Sequence, residues 1–285
     1  MGLAAQDRGA RGRASDAMNI LGILNITEDS FSDGGKYLQP NAALAQARKL
    51  AGEGAHIIDI GAASSNPDAK SVAPEMEIAR LEPVVAALKK DGIAVSIDSF
   101  APDVQRWALA QGVDYLNDIQ GFPDEALYPE LARADAKLIV MHSVQARGRA
   151  TRVAVPPEEI FPRVSRFFEA RVAALTKAGI ARELLILDPG MGFFLGANPE
   201  ASLTMLRRVG DLKRHFGLPV LVSVSRKSFL RALVGRVAQE AGSATLAAEM
   251  FAVSQGADYI RTHDPGALRD GLAVWNTLDG PFGAA

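Results

Sequence analysis

Leu184-Leu185-Ile186-Leu187-Asp188-Pro189-Gly190-Met191-Gly192-Phe193 is the stretch on which the fold turns. Four aliphatic residues in a row predict a strand buried on both faces, as in a parallel sheet covered by helices. The run stops on a carboxylate, followed at once by Pro and two Gly. Proline cannot continue a central ladder, and glycine lets the backbone approach something closely. An Asp at the mouth of an apolar strand is costly unless a partner neutralises it or hydrogen-bonds to it. Taken alone, such an Asp serves equally well as a helix N-cap or turn residue. Its functional meaning rests on recurrence along the chain.

Outward from that strand the pattern does recur. Leu21 to Ile26, His56 to Gly61, Ala94 to Asp98, Tyr115 to Ile119, Lys137 to His142, Pro219 to Ser225 and Asp258 to Arg261 are seven further apolar runs. Between them, helical spacing predicts helices over 42–52, 75–90, 102–111, a short one near 125–133 and a long one over about 157–178. Eight apolar runs alternating with helical segments predict a (β/α)₈ TIM barrel. A doubly wound open sheet also alternates, but eight regular units in under 270 residues fit a closed barrel better. No internal boundary, repeat or linker interrupts residues 18–285, which are expected to form one domain.

Composition bounds the function. The chain has 285 residues, 48% of them hydrophobic, ample for one large α/β domain. A net charge of −2 predicts no general affinity for nucleic acid, although a local phosphate site is compatible with it. The absence of cysteine excludes disulfides, thiolate metal sites and cysteine nucleophiles, and is compatible with a cytoplasmic location. No segment offers the roughly 18 consecutive apolar residues of a membrane helix. Residues 1–17, rich in Ala, Gly and Arg, are expected to be a disordered extension, with Met18 as an internal start.

In such barrels chemistry sits where strands end and βα loops begin. Those positions hold Asn25, Asp59, Asp98, Asn117 with Asp118, Met141 with His142, Asp188, Lys227, and Arg261 with His263. Nearly every strand ends on a polar or charged residue, and all are predicted to converge on one face. A carboxylate that accepts two adjacent N–H groups suits a flat heterocycle with a guanidine-like edge. Ser225-Arg226-Lys227-Ser228 supplies hydroxyls and cations, and Arg261-Thr262-His263 lies beside it if the barrel closes. With Asn25 and the Ser64-Ser65 loop, these groups could hold a pyrophosphate and Mg²⁺, which prefers oxygen ligands and shares substrate phosphates. Plainer roles stand beside these. Asp59 is expected to cap or pair within the barrel, and His56 and His215 to lie on the surface or in helices. Arg226 is equally an ion-pair residue, Met141 barrel core, and Phe193 and Phe194 packing. The basic loop Arg147, Arg149, Arg152 is expected to be a solvated face.

The motifs that carry these residues are Asn25-Ile-Thr-Glu-Asp-Ser-Phe-Ser-Asp-Gly-Gly35, Ile97-Asp98-Ser99, Leu116-Asn117-Asp118-Ile119 and Met141-His142. Asp188-Pro-Gly-Met-Gly192, Ser225-Arg-Lys-Ser228 and Arg261-Thr-His263 complete the set. In this order and spacing, from about Ile20 onward, the chain resembles dihydropteroate synthase. The segments 62–69, 192–196 and 222–230 look most like the mobile, sulfonamide-insensitive branch of that family. The resemblance implies condensation of 6-hydroxymethyl-7,8-dihydropterin pyrophosphate with p-aminobenzoate, giving 7,8-dihydropteroate and pyrophosphate. It implies that C–O cleavage comes first, leaving a stabilised pterin cation for the arylamine to attack. Carried over by position, Asp98, Asn117, Met141, Asp188 and Lys227 bind the pterin, and Asp98, Asp188 and Lys227 are the catalytic set. Asn25, Ser65, Arg261 and His263 hold pyrophosphate, with Asn25 also on Mg²⁺. Ser65, Asn66, Pro67, Phe193 and Ser228 line the p-aminobenzoate pocket. A cytoplasmic homodimer, joined through the C-terminal helices, is also implied.

One loop departs from the family. Where its members usually carry Glu-Ser-Thr-Arg-Pro-Gly, this chain has Ala63-Ser64-Ser65-Asn66-Pro67-Asp68, so that Asn66 puts a neutral amide in place of a cation. This loop and Phe193-Phe194 are expected to reshape the pocket's outer wall, excluding the bulkier end of a sulfonamide. Two other readings remain. A pterin-dependent methyltransferase would use the same Asp and Asn residues, but its methyl donor, lacking pyrophosphate, needs neither cation set. A catalytically silent pterin-binding protein would bind pterin without turnover.

Overall fold

The structure is a computed structural model, and it describes residues 18–27, 38–64, 71–145, 148, 150 and 153–278. The expected extension over 1–17, the basic loop residues Arg147, Arg149 and Arg152, and the pocket residues Ser65, Asn66 and Pro67 lie outside the described residues.

Eight parallel strands form the barrel wall: β1 (Asn19–Asn25), β2 (Ile57–Gly61), β3 (Ala94–Asp98), β4 (Tyr115–Asp118), β5 (Lys137–Met141), β6 (Leu185–Asp188), β7 (Leu221–Val222) and β8 (Tyr259–Thr262). They hydrogen-bond in the order β6-β5-β4-β3-β2-β1-β8-β7. The ring closes between β6 and β7 through a parallel bridge of Leu187 to Val220, in which the Leu187 N–H donates to the Pro219 carbonyl at 2.9 Å. A closed (β/α)₈ barrel, rather than an open doubly wound sheet, is therefore the fold.

The strand period of two then decides what lies inside. Leu21, Ile57, Ile139, Ile186, Leu221 and Tyr259 form one apolar cluster, closing the N-terminal end of the interior. Two residues further along each strand come Ile23, Asp59, Met141, Asp188, Ser223 and Arg261, and two further Asn25, Gly61, Ser225 and His263. The interior thus turns from apolar to charged along the barrel axis. Residues of opposite parity, among them Leu24, Ile58, Ile60, Ile97, Leu116 and Val140, join the larger core between the strands and the helices.

The helices are α1 (Pro40–Gly52), α2 (Pro74–Lys90), α3 (Pro102–Ala110), α4 (Tyr128–Leu131), α5 (Pro157–Lys177), α6 (Pro199–Arg207), α7 (Val209–Phe216), α8 (Ser228–Val234), α9 (Gly242–Ser254) and α10 (Pro265–Leu278). Seven of these ten open on proline in the first turn, where its missing N–H costs nothing. Simple alternation predicts one helix per crossover, but two occur after β6 and two after β7. Arg208 breaks the first pair, and Gly235, left-handed at φ +65°, ends α8 after seven residues. The short helix near 125–133 is a 3₁₀ turn, Glu125–Leu127, followed by α4. The seventh apolar run spans Pro219 to Ser225, yet only Leu221–Val222 form a ladder. Beyond Val222 the chain leaves the sheet, and Ser225 bonds to His263 instead.

Candidate active site

At the C-terminal mouth of the barrel the strand-end residues meet. Asp59, from the middle of β2, is fully buried, and its carboxylate accepts the Arg261 Nε–H. The same guanidinium donates through Nη2 to Asp98 at 2.6 Å. Arg261, from β8, is thus gripped by carboxylates from two neighbouring strands, with 13% of its side chain exposed. Burial works against that guanidinium, but Asp59 and then Asp98 more than offset it and raise its pKa. The Asn117 amide, at the end of β4, lies 3.5 Å from both Asp59 oxygens, while its own Oδ1 is buried with no partner among the described residues. A buried amide acceptor left unpaired beside Asp59 is suited to an N–H of a ligand.

Asp188 closes the opposite side. Its Oδ1 accepts the Gly190 N–H at 2.8 Å, made possible by the left-handed Gly190 at φ +74°. A side chain there would also meet the His142 carbonyl at 2.5 Å, so glycine is required twice over. His142 holds this turn: its N–H donates to the Asp188 carbonyl at 2.8 Å, and its Nδ1 lies 3.2 Å from the Pro189 carbonyl. Its burial, which lowers its pKa to about 4, keeps that ring neutral as it packs edge-on against Phe167. Burial raises Asp188 to about 6, against the Gly190 bond and the charges of Lys227 and Arg261. Burial likewise lowers Lys227 to about 8, with Arg261 adding to the effect. Asp98 is raised for the same first reason, although Arg261 opposes it. The Lys227 ammonium sits 5.0 Å from the centre of the Phe194 ring.

Asn25, Asp98, Phe193, Lys227, Ser228, Arg261 and His263, all expected site residues, line one cleft with about 920 Å³ of space, part of it open to solvent. Asn117 and Asp188 are buried and do not line it, and Met141 is buried in an apolar cluster with Ile119, Ala150 and Phe194, against which Phe100 and Phe193 pack. The Ser225 hydroxyl lies 2.9 Å from His263 Nδ1 and accepts the His263 N–H at 3.2 Å. His263 is pushed well below its ordinary value by burial and then by Arg226, Arg261 and Lys227. Behind the rim, Glu77 of α2 accepts the Ser99 hydroxyl at 2.9 Å, and Gln105 of α3 donates to the Ser99 carbonyl and to Asp118. Asp118 also accepts the Gln120 and Phe122 N–H groups, so it braces the loop after β4.

The plainer expectations resolve too. Asp59 does pair within the barrel, His215 is exposed beside Glu169, and the His56 Nδ1 accepts the Ile20 N–H at 3.0 Å. Arg226 is different. It lines the cleft at φ +57°, a strained backbone for a residue with a side chain, and its N–H donates to Thr245. Its place inside the Ser225–Ser228 motif was the only sequence signal for it.

Comparison with known proteins agrees with this geometry. The pterin binding enzyme family matches residues 21–263. Dihydropteroate synthase type-2 of Escherichia coli is 63% identical over 259 residues, covering 91% of this chain and 95% of that protein. The crystal structure of the Yersinia pestis dihydropteroate synthase with a sulfonamide drug superposes with a TM-score of 0.85 at 32% identity, covering 97% of this chain and 98% of that one. Xanthomonas albilineans dihydropteroate synthase with 4-aminobenzoic acid gives 0.82 at 33% identity, covering 92% and 94%.

Proposed function

The chain belongs to the pterin-binding enzymes and is a dihydropteroate synthase of folate biosynthesis, and from that premise we propose the parts its residues play. The reaction joins 6-hydroxymethyl-7,8-dihydropterin pyrophosphate to p-aminobenzoate. The C–O bond to pyrophosphate breaks with its electron pair leaving on the phosphate oxygen. A C–N bond then forms to the arylamine, which gives up a proton.

The observation that carries the assignment is the set of charges at the barrel mouth, buried Asp59 and Asp188 with half-buried Asp98 against half-buried Arg261 and Lys227, beside the unpaired oxygen of Asn117. The carboxyls of Asp59, Asp98 and Asp188 stand where a ring cation develops, and groups already in place need no reorganisation when the bond breaks. Asp188 and Asn117 accept N–H groups of the pterin, Lys227 donates to it, and Met141 packs against its ring. His263 and Arg261 face the pyrophosphate. Asn25 offers an amide oxygen at the cleft, and among the described residues no cluster of His, Asp and Glu could cage a metal. That donor set suits Mg²⁺, with pyrophosphate and water supplying its other ligands. When bound, the ion supplies charge neutralisation to the departing pyrophosphate.

Ser228 and Phe193 form the described part of the p-aminobenzoate pocket, with Ser65, Asn66 and Pro67 assigned to its outer wall. Phe193, packed on the Met141–Phe194 cluster at the rim, supports a wall that admits p-aminobenzoate and crowds out a sulfonamide's bulkier end. A homodimer is part of the same proposal. Leu233 and Val234 of α8, Val237, Phe251 of α9, and Val274, Trp275 and Leu278 of α10 are large apolar residues left exposed on the last helices. A cytoplasmic location goes with this reading. No helix among the described residues is long and apolar enough to cross a membrane.

The test is dihydropteroate formation with Mg²⁺, titrated with a sulfonamide, in wild type and in Phe193→Ala. Turnover that persists at high drug in wild type and becomes roughly tenfold more sensitive in the variant is expected, a size in keeping with one pocket contact. Equal sensitivity in the two proteins would sink the outer-wall reading and leave the enzyme assignment intact.

A further inference from the structure

We propose that Gln105 is a positioning residue for the pterin: from α3 it ties the segment just past β3 to the end of β4, and so sets the spacing of Asp98 and Asn117. This role rests on the reading of those two side chains as pterin ligands. Asp98 and Asn117 stand in register across the β3–β4 ladder, and each is followed by a residue that Gln105 holds. The Gln105 Nε2 donates to the Ser99 carbonyl at 2.8 Å and to Asp118 Oδ2 at 3.0 Å. That nitrogen carries two N–H groups and both neighbours are acceptors, so the chemistry fixes which way the amide points. The Ser99 N–H donates to the Asn117 carbonyl at 3.1 Å, one residue past the last ladder pair. Each anchor is secured in turn. The Ser99 hydroxyl donates to Glu77 of α2 at 2.9 Å, and Asp118 accepts the Gln120 and Phe122 N–H groups at 2.7 and 3.0 Å. Phe122 is itself left-handed at φ +59°, so Asp118 holds a strained turn as well as the bracket.

Gln105 is otherwise hard to account for. It is 2% exposed on a helix whose other buried residues are Val104 and Ala108. Packing α3 on the barrel needs no amide, and burying one is costly unless it is hydrogen-bonded. The bonds it makes leave its own helix altogether: one reaches the backbone just after Asp98, the other the side chain just after Asn117. Two side chains on neighbouring strands meet one flat heterocycle only at a set separation. The ladder fixes the strands' register, and the amide bracket holds the segments at their ends, where the ladder has stopped.

Three variants test this: Gln105→Met, Gln105→Asn and, as the reference for the site, Asn117→Ala. For each, kcat, KM for both substrates, Tm, and binding of 6-hydroxymethylpterin by calorimetry are measured. Gln105→Met keeps the side chain's length and drops both donors. It is expected to raise KM for the pterin pyrophosphate and weaken 6-hydroxymethylpterin about tenfold, less than the roughly 10²-fold that an ångström of misplacement can cost. KM for p-aminobenzoate should stay within about twofold, because the bracket does not reach Phe193 or Ser228. Gln105→Asn, whose amide is drawn back by one methylene, should give the same split, and it carries the test should Gln105→Met fail to fold. A fall in Tm without the KM split, or equal rises in both KM values, overturns the proposal. If Asn117→Ala leaves pterin binding intact, the site reading itself is wrong and the bracket falls with it. If Asn117→Ala weakens binding and the Gln105 variants do not, only the bracket is wrong.

Discussion

Asp188 and Lys227 bring opposite charges to one corner of the barrel mouth, and burial drives each toward neutrality, to about 6 and about 8. A carboxylate that accepts pterin N–H groups must be ionised, so kcat/KM for the pterin substrate should rise with pH through about 6. An ammonium that donates must keep its proton, so the same quantity should fall as pH passes about 8. A bell between those limbs is expected in the free-enzyme profile. Asp188→Asn should leave an acid limb set by Asp98 alone, near 7, and Lys227→Ala should remove the basic limb, each lowering kcat/KM by about 10²-fold or more. A flat profile from pH 5 to 9 would contradict the assignment. The stability sign is opposite on the acid side. Because folded Asp188 binds its proton more tightly than the ordinary 3.8, its contribution is full below about 4 and is lost as pH rises through about 6. At this scale much was legible: Asp98, Asn117, Asp188 and Lys227 stand out as polar residues ending apolar runs. The double grip on Arg261 was not, because Asp59 and Arg261 are 202 residues apart and nothing local links them.

Elements carry the site by being tied to one another behind it. The Ser99 hydroxyl, just past β3, is the hydrogen-bond partner of Glu77 on α2, whose pKa is raised by burial and held down by that bond. Ser99→Ala strands the carboxyl, and the expected loss is about 1–3 kcal/mol of unfolding free energy, read from urea denaturation at constant m. An unchanged midpoint would mean that the pair adds nothing to the α2–β3 contact. The alternation of strands and helices was legible from apolar periodicity. The doubling of helices after β6 and after β7 was harder to see, since Arg208 carries no helix-breaking signal and Gly235 is one glycine among 26.

On the whole molecule, seven of the nine large exposed apolar residues among those described fall between Leu233 and Leu278, with Leu278 at 78% exposure and Val274 at 60%. A charge placed in the middle of a self-associating patch must be desolvated without a partner. Leu278→Lys with Val274→Lys should therefore convert a dimer to a monomer in sedimentation velocity at micromolar concentration, with the isolated barrel still folded. A wild-type protein that sediments as a monomer would refute the dimer. From the chain alone came the barrel, the family and most of the residues that meet at the barrel mouth, because strand period, breakers at strand ends and polar strand-end residues are written locally. Only the closed barrel settled which way each strand faces, and hence that Asp59, Asp98 and Asp188 share one interior with Arg261 and Lys227. Parity and ring closure couple residues more than a hundred positions apart, and such charges acquire their pKa values only once that shared burial exists.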